Sequence, residues 1–313
     1  MAVTATTDAK YRKAYREVLA FATPRDLPLV SLADWDLALD QYGVALYDRG
    51  EAPAAFRLAI YGTAHVLDAP SRSQSVSPLA KKALRGFLRS SPEGCRDPPP
   101  EEAIWLMAHW LVLQAALLGQ QAVFAAAAML LTFDAYFRPS EALGLECRHV
   151  TPPRRGAARY RDWVITIAPQ GDKPAKNLDF DCSVVVGLPP RDWAVTLLTA
   201  LHKRARPEGR LFGNLNLVLY ERLLRKASAA CHVSSLRVDP HSLRHAGPSI
   251  DGYEKRLSLP EIQSRGRWRC GESCRRYSKP AALLRQVSKL TPEQLQEARR
   301  VARFVPRLIC DAL

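Results

Sequence analysis

The chain has 313 residues, enough for one large core or two modest ones, with two domains favoured by the length. Its composition, 47% hydrophobic and 24% charged, excludes a fibrous or low-complexity protein. Lys and Arg outnumber Asp and Glu by 45 to 31, and the net charge of +14 favours a polyanionic partner. That excess is unevenly spread. Residues 1 to 99 carry 13 basic and 11 acidic side chains, whereas 100 to 313 carry 32 and 20.

In chain order, the first hundred residues read as helices. "DAKYRKAYREVLAFA", "LADWDLALDQYGVALYDRG", "APAAFRLAIYGTAHVLDA" and "SPLAKKALRGFLRSS" each place apolar residues at three- and four-residue steps. Ser31 precedes the second, Gly50 follows it, and Ser77-Pro78 can start the fourth. "SPEGCRDPPPEE" then breaks the periodicity, and its prolines enforce an extended connection, so the domain boundary falls here. From Ile104 to Phe133 no charged residue occurs. A membrane span is one reading, but His109, Gln114 and Gly119-Gln120-Gln121 split the run into stretches shorter than the ~20 apolar residues a span needs. Two buried core helices are expected.

"YFRPSEALGLECRHV" follows, where Pro139 suits the first turn of a short helix and leaves Arg138 in the bend before it. The period then changes. "DWVITIAPQGDKPAKNLDFDCSVVVGLP" holds β-branched runs on both sides of Gly171 to Lys176 and reads as two strands around a turn. Helices return from Arg191 to Leu313. The fold class is therefore mainly α with a small β-sheet or hairpin. Seven cysteines, an odd number at irregular spacing without a preceding signal peptide, predict free thiols in a reduced intracellular compartment.

Four separated stretches hold residues that could carry chemistry: Arg138 in "FRPSEALGL", Lys173 in "GDKPAK", His241 with Arg244 in "HSLRH", and Trp268 with Tyr277 in "GRWRCGESCRRYSK". Taken singly, each has a bland structural explanation. Together they supply what breaking and rejoining a DNA backbone without metal requires. Arginine forks clamp phosphate oxygens and stay charged. A lysine can protonate a leaving oxygen, a histidine can take a proton from an attacking hydroxyl, and a tyrosine can form a covalent phosphoryl intermediate.

In order and spacing these stretches resemble the tyrosine recombinases, or phage-type integrases, whose signature is Arg, Lys, His-x-x-Arg, His or Trp, and Tyr. "FRPSEALGL" is similar to the first box, with Arg138 as its arginine and Glu141 at the acidic position. "HSLRHAGPS" is similar to the second, giving His241 and Arg244, with His245 in support. "GRWRCGESCRRYSK" is similar to the third, with Trp268 at the His or Trp position and Tyr277 nine residues later. Lys173 aligns best with the family's mobile lysine, with Lys176 as runner-up. The sequence departs from the pattern at Tyr136-Phe137, where a glycine is common before the arginine, and at Pro248 after Gly247.

The resemblance implies a helical core-binding domain (1–97), an α+β tyrosine-recombinase catalytic domain (98–280) and a C-terminal helical tail (281–313) for exchange between protomers or for packing on its own domain. It implies a site-specific DNA recombinase or integrase of mobile-element type. Tyr277 would attack a phosphate and form a 3′-phosphotyrosyl link, with neither metal nor ATP and no cofactor. The expected partners are double-stranded DNA and further copies of the chain, as a tetramer on two sites, located wherever DNA resides and not in a membrane. Phosphate contacts are expected from Lys81, Lys82, Arg85 and Arg89 in the first domain. In the second they are expected from Arg265, Arg267, Arg269, Arg275 and Arg276.

Three rivals stand beside this reading. Cys231, His232, His241 and His245 could be drawn as a zinc site, although the His-x-x-x-His pair lacks a glutamate and no paired C-x-x-C accompanies it. A type IB topoisomerase shares the tyrosine chemistry. A domesticated, catalytically silent DNA-binding protein would keep the fold without the reaction.

Overall fold

The computed structural model describes residues 3–68, 77–90, 96–154, 156, 161–169 and 182–313. It divides into two compact units, Met1–Cys95 and Arg96–Leu313.

The first unit contains α1 (Ala5–Ala22), α2 (Leu32–Asp48), α3 (Pro53–Val66) and α4 (Pro78–Ser90). Ser31 caps α2 through a reciprocal box: its hydroxyl accepts from the Asp34 N–H while the Asp34 carboxylate accepts from the Ser31 N–H. The buried Asp36 of α2 does the same service for a neighbour. Its carboxylate accepts from the Leu79 and Ala80 N–H groups at 2.9 and 3.0 Å, satisfying free donors at the start of α4. α1 packs on α3 and α2 on α4. Val18, Phe21, Trp35, Leu39, Phe56, Ile60 and Phe87 fill the space between them.

The second unit opens with α5 (Glu101–Leu113), α6 (Ala115–Leu118) and α7 (Gln120–Ala135), followed by the short α8 (Pro139–Leu143). The charge-free run is thus broken at Gly119, whose φ of +77° a glycine adopts without strain. No helix among the described residues is long and apolar enough to cross a membrane. Every residue of α7 from Ala122 to Ala135 is buried. A helix apolar on all sides must be surrounded, and α7 packs against α5 and against later helices of the same unit.

Strands β1 (Val150–Thr151), β2 (Trp163–Ile167) and β3 (Cys182–Val186) form one antiparallel sheet in that order. Val150 pairs with Ile165 and Trp163 with Val186. β2 and β3 are the two strands that the sequence announces; β1 is too short to leave a periodic signal. Then come α9 (Trp193–Arg204), α10 (Leu217–Ala230), α11 (Pro240–Tyr253), α12 (Leu259–Arg265), α13 (Gly271–Tyr277), α14 (Pro280–Val287), α15 (Pro292–Ala302) and α16 (Val305–Ala312).

The C-terminal tail is not a separate appendage. Leu283, Leu290, Val301, Val305 and Ile309 join the same core as α5 and α7, with α15 on α5 and α16 on α9. Of the two arrangements the sequence leaves open for residues 281–313, packing on their own domain is the one seen here: three helices with buried apolar faces complete the unit, because exposing those faces would cost the burial that holds them. Ile309 is fully buried. Ile309→Ala should therefore destabilise the protein by about 2–4 kcal/mol, read as a lowered urea midpoint. A tail that docks only on another copy would leave the monomer's midpoint unchanged.

Candidate active site

The site begins at a five-residue helix. Pro139 occupies the first position of α8 and holds Arg138 extended (φ −69°, ψ 151°) as its N-cap. One turn on, Glu141 folds back: its Oε2 accepts from the Arg138 N–H at 2.8 Å, and its Oε1 pairs with the Arg138 guanidinium. The same carboxylate receives Arg267 Nη2 at 2.8 Å and lies 3.4 Å from Arg244 Nη1. Three arginines from three segments thus share one acid whose side chain is 8% exposed. Burial alone would raise the Glu141 carboxyl, but Arg267, Arg244 and Arg138, in that order, hold it below its ordinary value.

α11 supplies the next groups. Asp239 caps it, accepting from the Ser242 N–H at 2.6 Å, and Pro240 sits at the first position. His241, Arg244 and His245 follow at steps of three and four and so share a face. Arg244 is buried, with Nη2 donating to the Gly266 carbonyl at 2.7 Å and Nη1 to the Tyr136 carbonyl. Burial pulls its pKa below the arginine norm while Glu141 opposes the fall. A guanidinium with such partners stays charged at neutral pH.

Tyr277 ends α13, and its ring lies between two others. The Trp268 ring stacks on it at 4.8 Å between centroids and the His245 ring at 4.5 Å. The Arg244 guanidinium carbon stands 5.4 Å from the Tyr277 centroid and 5.2 Å from that of Trp268. Burial, followed by Lys279 and Arg244, drives His245 down to about 3, so this imidazole is neutral at physiological pH. The backbone is tied down as well. Ser249 Oγ donates to the Tyr277 carbonyl at 3.1 Å and accepts from the Lys279 N–H at 2.9 Å, while Ser278 Oγ donates to the Pro248 carbonyl. Pro248 thus sits inside α11 without breaking it, and the tyrosine segment is stitched to α11 at that point. Gly247 permits the close approach: a Cβ there would strike the Phe133 carbonyl and the Tyr136 ring.

Behind the arginines lies a second buried network. Arg191 donates to both Asp251 oxygens at 3.0 and 2.7 Å, and the Tyr136 hydroxyl donates to Asp251 Oδ2. Burial and then the Asp251 charge push the Tyr136 phenol above its ordinary value, which keeps its proton in place. Three buried donors of these residues find no hydrogen-bond partner among the described residues: Arg244 Nε, Arg267 Nε and Trp268 Nε1. A cleft of about 250 Å³ adjoins Trp268 and Arg267, bordered by Ser183, Gln263 and Arg269.

The structure therefore brings together Arg138, Glu141, Arg244, His245, Trp268 and Tyr277. His241 is exposed in the first turn of α11. Lys173 and Lys176 lie outside the described residues. On α4, Lys82, Arg85 and Arg89 are exposed and Lys81 half-buried, and their spacing places all four within an arc of roughly 100°. Arg275 and Arg276 are exposed on α13, and Arg269 is exposed just before it.

Two of the cations from which phosphate contacts are expected turn inward. Arg265 and Arg267 are both buried, 9% exposed. Arg265 donates to the carbonyls of Asp134 and Val185 and pairs with Asp134 at 3.2 Å. Arg267 donates to the carbonyls of Ala135, Arg265 and Tyr136 as well as to Glu141. Guanidinium groups removed from water need such acceptors. A run of alternating arginines around Gly266 gives no sign of which side chains turn inward. Nothing in the sequence singles out Arg191, Ser249 and Asp251 as support for this cluster, although Asp251 stands two helical turns after Arg244, on the same face.

The sequence matches no protein-family model and no curated protein. Its structure resembles the XerH site-specific recombinase solved with palindromic difH substrate in a post-cleavage complex, at TM-score 0.53 and 16% identity, over 95% of this chain and 79% of that one. It also resembles the XerH pre-cleavage complex with difH, at TM-score 0.51 and 16% identity, over 82% of this chain and 69% of the other. The chain thus has the tyrosine-recombinase fold, mainly helical with a small antiparallel sheet.

Removing the charge of Glu141 would leave three guanidinium groups without their common anion. Glu141→Gln should cost about 3–5 kcal/mol in chemical denaturation at pH 7. The folded carboxyl titrates below the ordinary 4.5, so its stabilisation is complete at neutral pH and is lost as pH falls through the lower folded value. The glutamine variant should lose that acid limb, and an unchanged limb would assign it to other carboxylates.

Proposed function

We propose that this chain is a site-specific DNA strand transferase that cleaves and rejoins duplex DNA through Tyr277. The observation that carries the reading is the seating of Tyr277 against Arg244 and Trp268 of its own unit, beside a carboxylate that gathers Arg138 and Arg244. The likeness to DNA-bound site-specific recombinases supports it at the level of fold.

In the proposed step the Tyr277 oxygen attacks phosphorus in line. A P–O bond to tyrosine forms as the P–O5′ bond breaks, leaving a 3′-phosphotyrosyl link and a 5′-hydroxyl. His241 takes the phenolic proton, and Lys173, with Lys176 as the alternative, delivers a proton to the leaving O5′. Arg138 and Arg244 stabilise the charge that gathers on the pentavalent oxygens, a contribution worth roughly 3–4 kcal/mol per donor removed. The Trp268 indole can donate but not accept, so it holds a phosphate oxygen or buttresses the tyrosine. Rejoining reverses the step with a 5′-hydroxyl from the same or a partner strand. Ester exchange conserves the bond energy, which removes any need for ATP, metal or another cofactor.

The partners in this reading are double-stranded DNA and further copies of the chain, as a tetramer spanning two sites. Lys81, Lys82, Arg85 and Arg89 on one unit and Arg269, Arg275 and Arg276 on the other grip phosphates, so binding weakens steeply with salt. The activity belongs wherever DNA resides, and a mobile element is the expected carrier.

DNA retained by Tyr277→Phe would be sequenced and remade with a nick beside each candidate phosphate. Wild type should trap covalent DNA on a denaturing gel in EDTA, Tyr277→Phe none, and Arg244→Ala at least ~10²-fold less. No adduct on any selected duplex would leave a DNA-binding protein without catalysis. General relaxation of supercoils without exchange between defined sites would indicate a type IB topoisomerase activity.

A further inference from the structure

One member of the arginine cluster and one residue beside it hold a backbone conformation that favours glycine, yet neither is glycine. Tyr136 has φ +54° and ψ +39°, and Arg267 has φ +57°. Each terminates a turn whose carbonyl faces Arg244. The peptide after Tyr136 presents the Tyr136 oxygen to Arg244 Nη1, and the peptide before Arg267 presents the Gly266 oxygen to Arg244 Nη2 at 2.7 Å. Both Nη groups of Arg244 are therefore aimed by left-handed turns.

We propose that Tyr136 and Arg267 are positioning residues for Arg244, which lock two left-handed turns so that their carbonyls fix the plane of its guanidinium. This deepens the strand-transferase reading and rests on it for the role of Arg244 at phosphate. Glycine would adopt both turns but would also leave them readily, since it populates positive and negative φ almost equally. A tyrosine and an arginine hold them through anchored side chains. The Tyr136 hydroxyl donates to Asp251, itself clamped by Arg191. Its ring packs on Gly247 of α11, the helix that carries Arg244. Arg267 donates to Glu141 at 2.8 Å and to the carbonyls of Ala135 and Arg265.

The two turns are also joined directly. Arg267 Nη2 donates to the Tyr136 oxygen at 3.2 Å, the same oxygen that receives Arg244. With both Nη groups held from behind, the remaining Arg244 Nε, unpartnered among the described residues, keeps a fixed direction.

Two variants separate the anchors from the turns. Tyr136→Phe keeps the ring and removes only the bond to Asp251, which retains Arg191; Arg267→Gly keeps the left-handed turn and removes its anchor. The ¹⁵N-labelled full chain would be examined by NMR for hydrogen exchange of the Arg244 guanidinium, assigned with Arg244→Lys. Exchange at Nη should quicken at least fivefold in either variant, with a melting profile close to wild type for Tyr136→Phe. On nicked duplex, cleavage at saturating DNA should slow at least tenfold while Kd stays within twofold. Wild-type exchange rates at Arg244 in both variants would overturn the proposal, whatever the activity. Absence of an adduct with wild type would instead remove the strand-transferase reading and leave the exchange measurement to decide the positioning.

Discussion

A single buried carboxylate, that of Glu141, makes the rest of the site possible. Arg138, Arg244 and Arg267 converge on it from the N-cap of α8, the second turn of α11 and the segment after α12, and without an anion their mutual repulsion in a water-poor setting would drive them apart. One negative charge for three positive ones is a deliberate imbalance. It holds the guanidiniums in place while leaving the cluster electropositive, the condition for receiving an anion that water does not already satisfy.

The buried donors follow the same logic. Arg244 Nε, Arg267 Nε and the Trp268 indole N–H lack partners among the described residues, and a buried donor left unmet costs about 1–3 kcal/mol. Groups of this kind set beside surplus positive charge suit a ligand rich in acceptor oxygens, and a phosphodiester is one. Tyr277 is held at the edge of this region by stacking between Trp268 and His245 and by the Ser249 hydroxyl. His245, kept neutral by burial, serves as a flat wall to the phenol and adds no further charge.

Support for these groups extends well beyond them. Asp134, Arg191, Asp251 and Arg265 form a polar layer inside an otherwise apolar unit, with the C-terminal end of α7 at its centre. Every charge in that layer has an opposite partner or a backbone carbonyl, the only terms on which burial is tolerable. The terminal helices α14 to α16 close the apolar side of the same unit. The residues gathered around Tyr277 and the residues that hold the core therefore belong to one compact unit.

Much was written in the sequence alone. The helices of residues 5–135 show in three- and four-residue periodicity, the break at Gly119 in a lost period, strands β2 and β3 in β-branched runs, and Arg138, Arg244, Trp268 and Tyr277 in their spacing. These signals are local, arising from repeat length, capping and residue type. Tertiary structure alone decided which cations face water. Arg265 and Arg267 read like Arg275 and Arg276, yet the first two turn inward because Asp134, Glu141 and several backbone carbonyls, distant in sequence, offer acceptors there. It also decided that Tyr136 could stand in a left-handed turn, since Asp251 lies 115 residues away along the chain. Charge pairing in a core depends on what the fold brings within hydrogen-bonding distance, and no local pattern encodes that.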